Sequence, residues 1–121
     1  MQPISKEVVQ KRINQLIGQA VYLHLETTQG VYQARQGEGP LASAYIRNVP
    51  ICFERGEIKG EGPFRVGLKL AHGWVYCDGL TDWEPEEEPL LLAGHDREGR
   101  LVAALQLSRT PFPSPGQSLR K

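Results

Sequence analysis

The chain has 121 residues, the size of one ordinary domain, and folding at that length buries roughly two thirds of the surface an unfolded chain would expose. Fourteen Lys plus Arg offset fourteen Asp plus Glu, so no net field draws in a polyanion or an anionic bilayer, and strong non-specific nucleic-acid binding is not expected. Residues 1–11 lack the basic-then-apolar order of a secretion signal and nowhere do eighteen apolar residues run together, which predicts a cytoplasmic protein without a membrane span. The two cysteines, Cys52 and Cys77, lie in apolar surroundings without a CxxC spacing and read as reduced, buried thiols, one disulfide remaining open.

Over residues 5–17 the apolar positions Val8, Val9, Ile13, Leu16 and Ile17 recur at helical spacing, with Ser5 placed to cap the first turn, Glu7 near the positive helix end and Gly18 as the stop. The period then becomes two. Val21, Leu23 and Leu25 alternate with Tyr22, His24 and Glu26, and residues 27–30 are turn chemistry ahead of a second short strand over 31–36, which predicts a hairpin. A strand over 42–47 follows, interrupted near Pro50 and continuing extended over 51–55; a proline there argues for an edge or a bend, and a bend is expected.

The clearest alternation comes next. Phe64, Val66, Leu68 and Leu70 face one way, Arg65 and Lys69 the other. Ala71, His72 and Gly73 make a hairpin connection to a strand over 74–83, with Gly79 a bulge or a close backbone approach. Residues 84–89 are an acidic loop, and a last pair over 90–95 and 101–108 flanks the turn 96–99. Prolines 111, 113 and 115 oppose sheet pairing, so the expected organisation is one β-rich domain over 1–108 and a mobile tail over 109–121. The fold class is mainly β: an antiparallel meander closing a barrel-like or sandwich core behind one N-terminal helix.

Catalytic and metal motifs are scarce. His24 stands on the more polar face of its strand between Tyr22 and Glu26, which would suit a general base, although a hydrogen-bonded sheet histidine is the commoner outcome. His95 ends a strand beside a turn, and His72 lies within one. No CxxC, HxH or HExxH spacing asks for zinc, so neither metal nor cofactor is expected. There is no GxSxG elbow, Cys77 suits a small core residue, and the glycine-rich 60–63 lacks phosphate-loop spacing. The strand carrying Arg65 and Lys69 has cations but no stacking aromatics on the same face, which favours a small anionic ligand over RNA.

Five segments, residues 21–28, 44–48, 58–69, 73–81 (by way of Gly73-Trp74-Val75-Tyr76 and Gly79-Leu80-Thr81) and 92–95, together resemble the YojF family of small proteins from Gram-positive bacilli. The resemblance implies a β-rich, barrel-like fold with an N-terminal helix and a function to which no chemistry is assigned. Family members are often encoded beside a zinc-dependent deacetylase of the bacillithiol pathway, so it also implies an accessory role beside such an enzyme. Residues 41–43, the run 86–88 and the proline-rich end look peculiar to this chain.

The favoured reading is a non-catalytic binding or accessory protein whose polar strand face, with Tyr22, His24, Glu26, Arg47, Arg65 and His95 as ligand-binding candidates, meets a small anionic ligand or a deacetylase partner. Nucleic acid and membrane are not expected as partners. Two alternatives stand beside it: a small hydrolase or isomerase using His24 or His95 with Glu26, and a structural homo-oligomer, a homodimer in its simplest form.

Overall fold

The structure is a computed structural model and describes residues 1–28 and 42–113. In chain order its elements are β1 (Gln2–Pro3), α1 (Lys6–Asn14), β2 (Val21–Thr28), β3 (Ala42–Ile51), β4 (Arg55–Lys59), β5 (Phe64–Lys69), β6 (Trp74–Leu80), β7 (Asp82–Trp83), β8 (Leu90–His95) and β9 (Leu101–Ser108). They form a six-stranded sheet, ordered β1-β7-β8-β9-β2-β3, and a three-stranded sheet, β4-β5-β6, with every pairing antiparallel. The sheets do not close into the barrel-like form that the family resemblance implies. They are sandwich-like, joined by one hydrophobic core.

Period-two alternation sets which side chains enter that core. Val21, Leu23 and Leu25 of β2, Leu90 and Leu92 of β8, and Leu105 and Leu107 of β9 point inward from the large sheet. Ile58, Val66, Leu68 and Cys77 point inward from the small one. Each fully buried branched side chain contributes about 1.5–3 kcal/mol relative to exposure. Phe64, placed by alternation on the same face, sits at its rim and is only partly buried.

The helix is shorter than residues 5–17, because its hydrogen-bonded run stops at Asn14 and a turn leads to Gly18, whose φ of +81° is the left-handed conformation glycine tolerates. Ser5 occupies the N-cap position but makes no side-chain capping bond. Val9, Ile13 and Leu16 are buried, whereas Val8 and Ile17 are exposed, so the apolar stripe is narrower than the sequence suggests. Gln10 has a structural task instead. Its amide donates to the Gly56 carbonyl (2.9 Å) and accepts from the Ile58 N–H (2.9 Å), pairing the free side of β4 as a neighbouring strand would.

The chain changes sheet at two breaks. Pro50 does not end its strand, because β3 is an edge among the described residues and an edge tolerates a missing N–H. The break falls at residues 52–54, from which β4 starts in the other sheet, so 51–55 is not a continuation of β3. Likewise the expected strand 74–83 is two strands, β6 in the small sheet and β7 in the large one. Gly79, at φ +78°, is at the bulge before that switch, and Gly94 packs against it so closely that a Cβ at Gly94 would collide with the Gly79 carbonyl. The expected strand 31–36 lies outside the described residues. Of the segment from 109 onward, residues 109–113 are described, and Phe112 is tied to Asn48 in both directions: its N–H donates to Oδ1 (2.6 Å) and its carbonyl accepts from Nδ2 (2.9 Å).

Candidate functional site: two outer faces

The alternation that buries Leu23 and Leu25 puts Tyr22, His24 and Glu26 on the outer face of the large sheet. Arg47 is the cross-strand partner of His24 on β3, and its Nη1 lies 3.1 Å from the imidazole Nδ1. A guanidinium has only donors, so Nδ1 must accept. The ring proton is then on Nε2, 3.4 Å from Glu26 Oε1. Burial, helped by the Arg47 charge, holds the imidazole below its usual pKa, against a smaller opposing pull from Glu26. Tyr45 and Phe112 meet the ring edge-on at centroid distances of 5.4 and 6.0 Å, and the Arg47 guanidinium lies over Phe112 at 4.6 Å. The consequence for chemistry is direct. The one basic lone pair of His24 is engaged by Arg47, so the ring can accept a substrate proton only after that bond is broken.

His95 is a separate place. Its Nδ1 is 2.9 Å from Asp82 Oδ1, and its backbone N–H donates to Thr81 Oγ1 (3.0 Å). The Thr81 hydroxyl donates to the same carboxylate (2.6 Å) and is the main cause of Asp82 lying below the ordinary aspartate range, with His95 adding to it. By strand register His95 lies two strands from β2, about four residues along from His24 and two from Glu26, backbone separations of roughly 16 and 12 Å, so neither is within hydrogen-bond reach of it.

Arg65 is not on that face at all. It belongs to the outer face of the small sheet, on the other side of the core from His24, where register produces a three-by-three array. Arg55, Lys69 and Trp74 form one row, Glu57, Gly67 and Tyr76 the next, and Lys59, Arg65 and Asp78 the third, the last across the Gly79 bulge. Trp74 and Tyr76 stack in parallel, with centroids 5.4 Å apart and planes 6° from one another. They are 44 and 54% exposed. Gly67 makes room for them, since a Cβ there would be 2.9 Å from the Tyr76 ring. Arg55 lies over Trp74 at 5.5 Å and Arg65 over Tyr76 at 5.6 Å. Arg65 also pairs with Asp78 (3.1 Å), Lys59 with Glu57 (3.6 Å) and Lys69 with Glu54 (3.5 Å). Arg55 alone of these cations has no carboxylate partner among the described residues.

The expectation that cations on β5 lack aromatic company is therefore corrected: β6, the next strand, brings Trp74 and Tyr76 to the same face. Single-strand alternation did not reach them because the pairing register was unknown. The signals present were a glycine between Arg65 and Lys69 on a polar face, and two aromatics two residues apart on the following strand. Tyr45, Asn48 and Phe112 around His24 were likewise missed, being brought there by β3 and by the segment after β9.

Of the two cysteines, Cys77 is buried, its thiol pushed up to about 11 by desolvation, while Cys52 is exposed, contrary to its apolar neighbours. Ile51 and Phe53 on either side point into the core and turn Cys52 outward. Among the described residues no cluster of three or more His, Cys, Asp or Glu could hold a metal ion, and no helix is long and apolar enough to cross a membrane.

Two open antiparallel sheets, one helix sealing an edge, and charged outer faces define a small β protein whose described charged side chains all lie outside the core. The chain belongs to the family described as protein of unknown function DUF1806, whose sequence pattern matches residues 3–112. It is 46% identical over 114 residues to the protein described as uncharacterized protein YojF of Bacillus subtilis (strain 168), covering 93% of this chain and 98% of that one. The crystal structure of Bacillus subtilis YojF protein matches with a TM-score of 0.77 at 42% identity, covering 93% of this chain and 97% of the other.

Proposed function

We propose that this chain is a cytoplasmic, non-catalytic binding module for a small anion, and that the anion sits on the outer face of the three-stranded sheet. One observation carries the reading. A concavity of about 200 Å³ on that face is lined by three cations, Arg55, Lys59 and Arg65, against one carboxylate, Glu57, with Gly67, Trp74 and Tyr76 completing the wall. Arg55 lies over the Trp74 ring and has no side-chain hydrogen bond or ion pair among the described residues, and a free guanidinium fork is the form in which arginine best meets a carboxylate or phosphate.

Binding is favoured over catalysis by the condition of the titratable groups. The lone pair of His24 is engaged by Arg47, His95 is paired with Asp82, and the Cys77 thiol is buried and protonated. Calorimetric titration with inorganic phosphate and with acetate, on the wild type and on Arg55→Met and Arg47→Met, tests the proposal. Removing one charge-assisted contact costs about 1.5 kcal/mol, so Arg55→Met should weaken anion binding about tenfold while Arg47→Met leaves it unchanged. Loss in Arg47→Met alone would move the site to the other face, and no heat with any anion would end the proposal.

A further inference from the structure

The same face carries more than charge, and the following rests on its being the anion site. Two large aromatic rings crowd against Gly67 of β5 with about half their surface in water, and both belong to the wall of the concavity. An inorganic anion would use the cations and leave that wall wet. By register Arg65, Tyr76 and Trp74 occupy successive levels along the strands while Arg55 shares the level of Trp74 from β4, so a guanidinium lies over each ring of the aromatic pair. Guanidinium planes and aromatic rings are the surfaces on which a further flat ring packs, and the Arg55 guanidinium can at the same time donate to an anion borne by that ring.

We infer that the ligand of this face is a small ring-bearing anion, an aromatic or heteroaromatic group carrying a phosphate or carboxylate, seated with its ring against the Trp74–Tyr76 stack and its anionic group on the guanidinium of Arg55. A free small molecule is the occupant rather than a single nucleic-acid strand. A strand needs a continuous cationic track, whereas here Glu57 and Asp78 interrupt the array, the concavity is small, and the whole chain carries no net charge to attract a polyanion.

The test is a calorimetric series on the full chain with four probes: a nucleoside monophosphate, the corresponding nucleoside, inorganic phosphate and a single-stranded oligonucleotide. The expected result is that the monophosphate binds at least about tenfold more tightly than either the nucleoside or phosphate, and that Trp74→Leu removes most of this advantage while phosphate binding persists. Equal binding of phosphate and the monophosphate would overturn the inference and leave the anion site standing. An oligonucleotide binding more tightly per molecule than the monophosphate, by well over the number of its nucleotides, would overturn it in favour of a strand. Failure of every probe would defeat the anion site itself.

Discussion

At the scale of single residues, Arg47 decides what His24 is. The guanidinium cannot accept, so it fixes the neutral tautomer with Nδ1 as acceptor, and it disfavours a second ring proton by charge. A histidine whose folded-state pKa lies below its unfolded value near 6.5 contributes stability that is fully present above that value. The contribution is lost as pH falls through the folded-state pKa, because the unfolded chain takes up the proton first. The wild type should therefore lose stability on acidification from about pH 7.5 to about pH 5, and His24→Gln should lose less over the same window, as read by urea unfolding at successive pH values. Parallel curves for the two proteins would contradict the assignment. The position of His24 on a polar strand face beside Glu26 was legible from alternation alone. Its control by Arg47 was not, because it depends on the pairing of β2 with β3 and on the Asn48 bulge, at φ +63°, that shifts the register there.

Among the elements, α1 shows most clearly how a local pattern understates a role. Helical spacing picked out Val8, Val9, Ile13, Leu16 and Ile17, of which Val9, Ile13 and Leu16 are buried. Gln10 reads as an ordinary exposed polar position, yet it pairs the otherwise open edge of β4. Gln10→Ala leaves the Ile58 N–H and the Gly56 carbonyl without that partner, and an unsatisfied partly buried pair costs about 2 kcal/mol. The urea midpoint of that variant should fall accordingly with an unchanged slope, whereas a loss below about 0.5 kcal/mol would show that water replaces the glutamine. The strands themselves were legible where alternation was strict, as in β2 and β5. They were misjudged at residues 51–55 and 74–83, where the chain crosses between sheets, since extended backbone continues through a crossing and only the partner changes.

At the scale of the whole molecule, two crossings, at residues 52–54 and at Thr81, turn what reads as a meander into two stacked sheets. They also separate the polar residues into two outer faces, so His24 and Arg47 lie on one and Arg65 on the other. The small sheet adds exposed stacked aromatics to three cations in one concavity, and it is there that the proposed ligand would gain both charge and contact area. The chain holds two tryptophans, the half-exposed Trp74 on this face and the buried Trp83, so a nitrogen-15 spectrum carries one indole signal from each environment. Titrating the labelled protein with a nucleoside monophosphate is the most direct measurement. The Trp74 indole and the Gly67 and Arg55 amides should move while the Trp83 indole stays still; shifts confined to His24, Arg47 and Tyr45, or no shifts, would contradict the account.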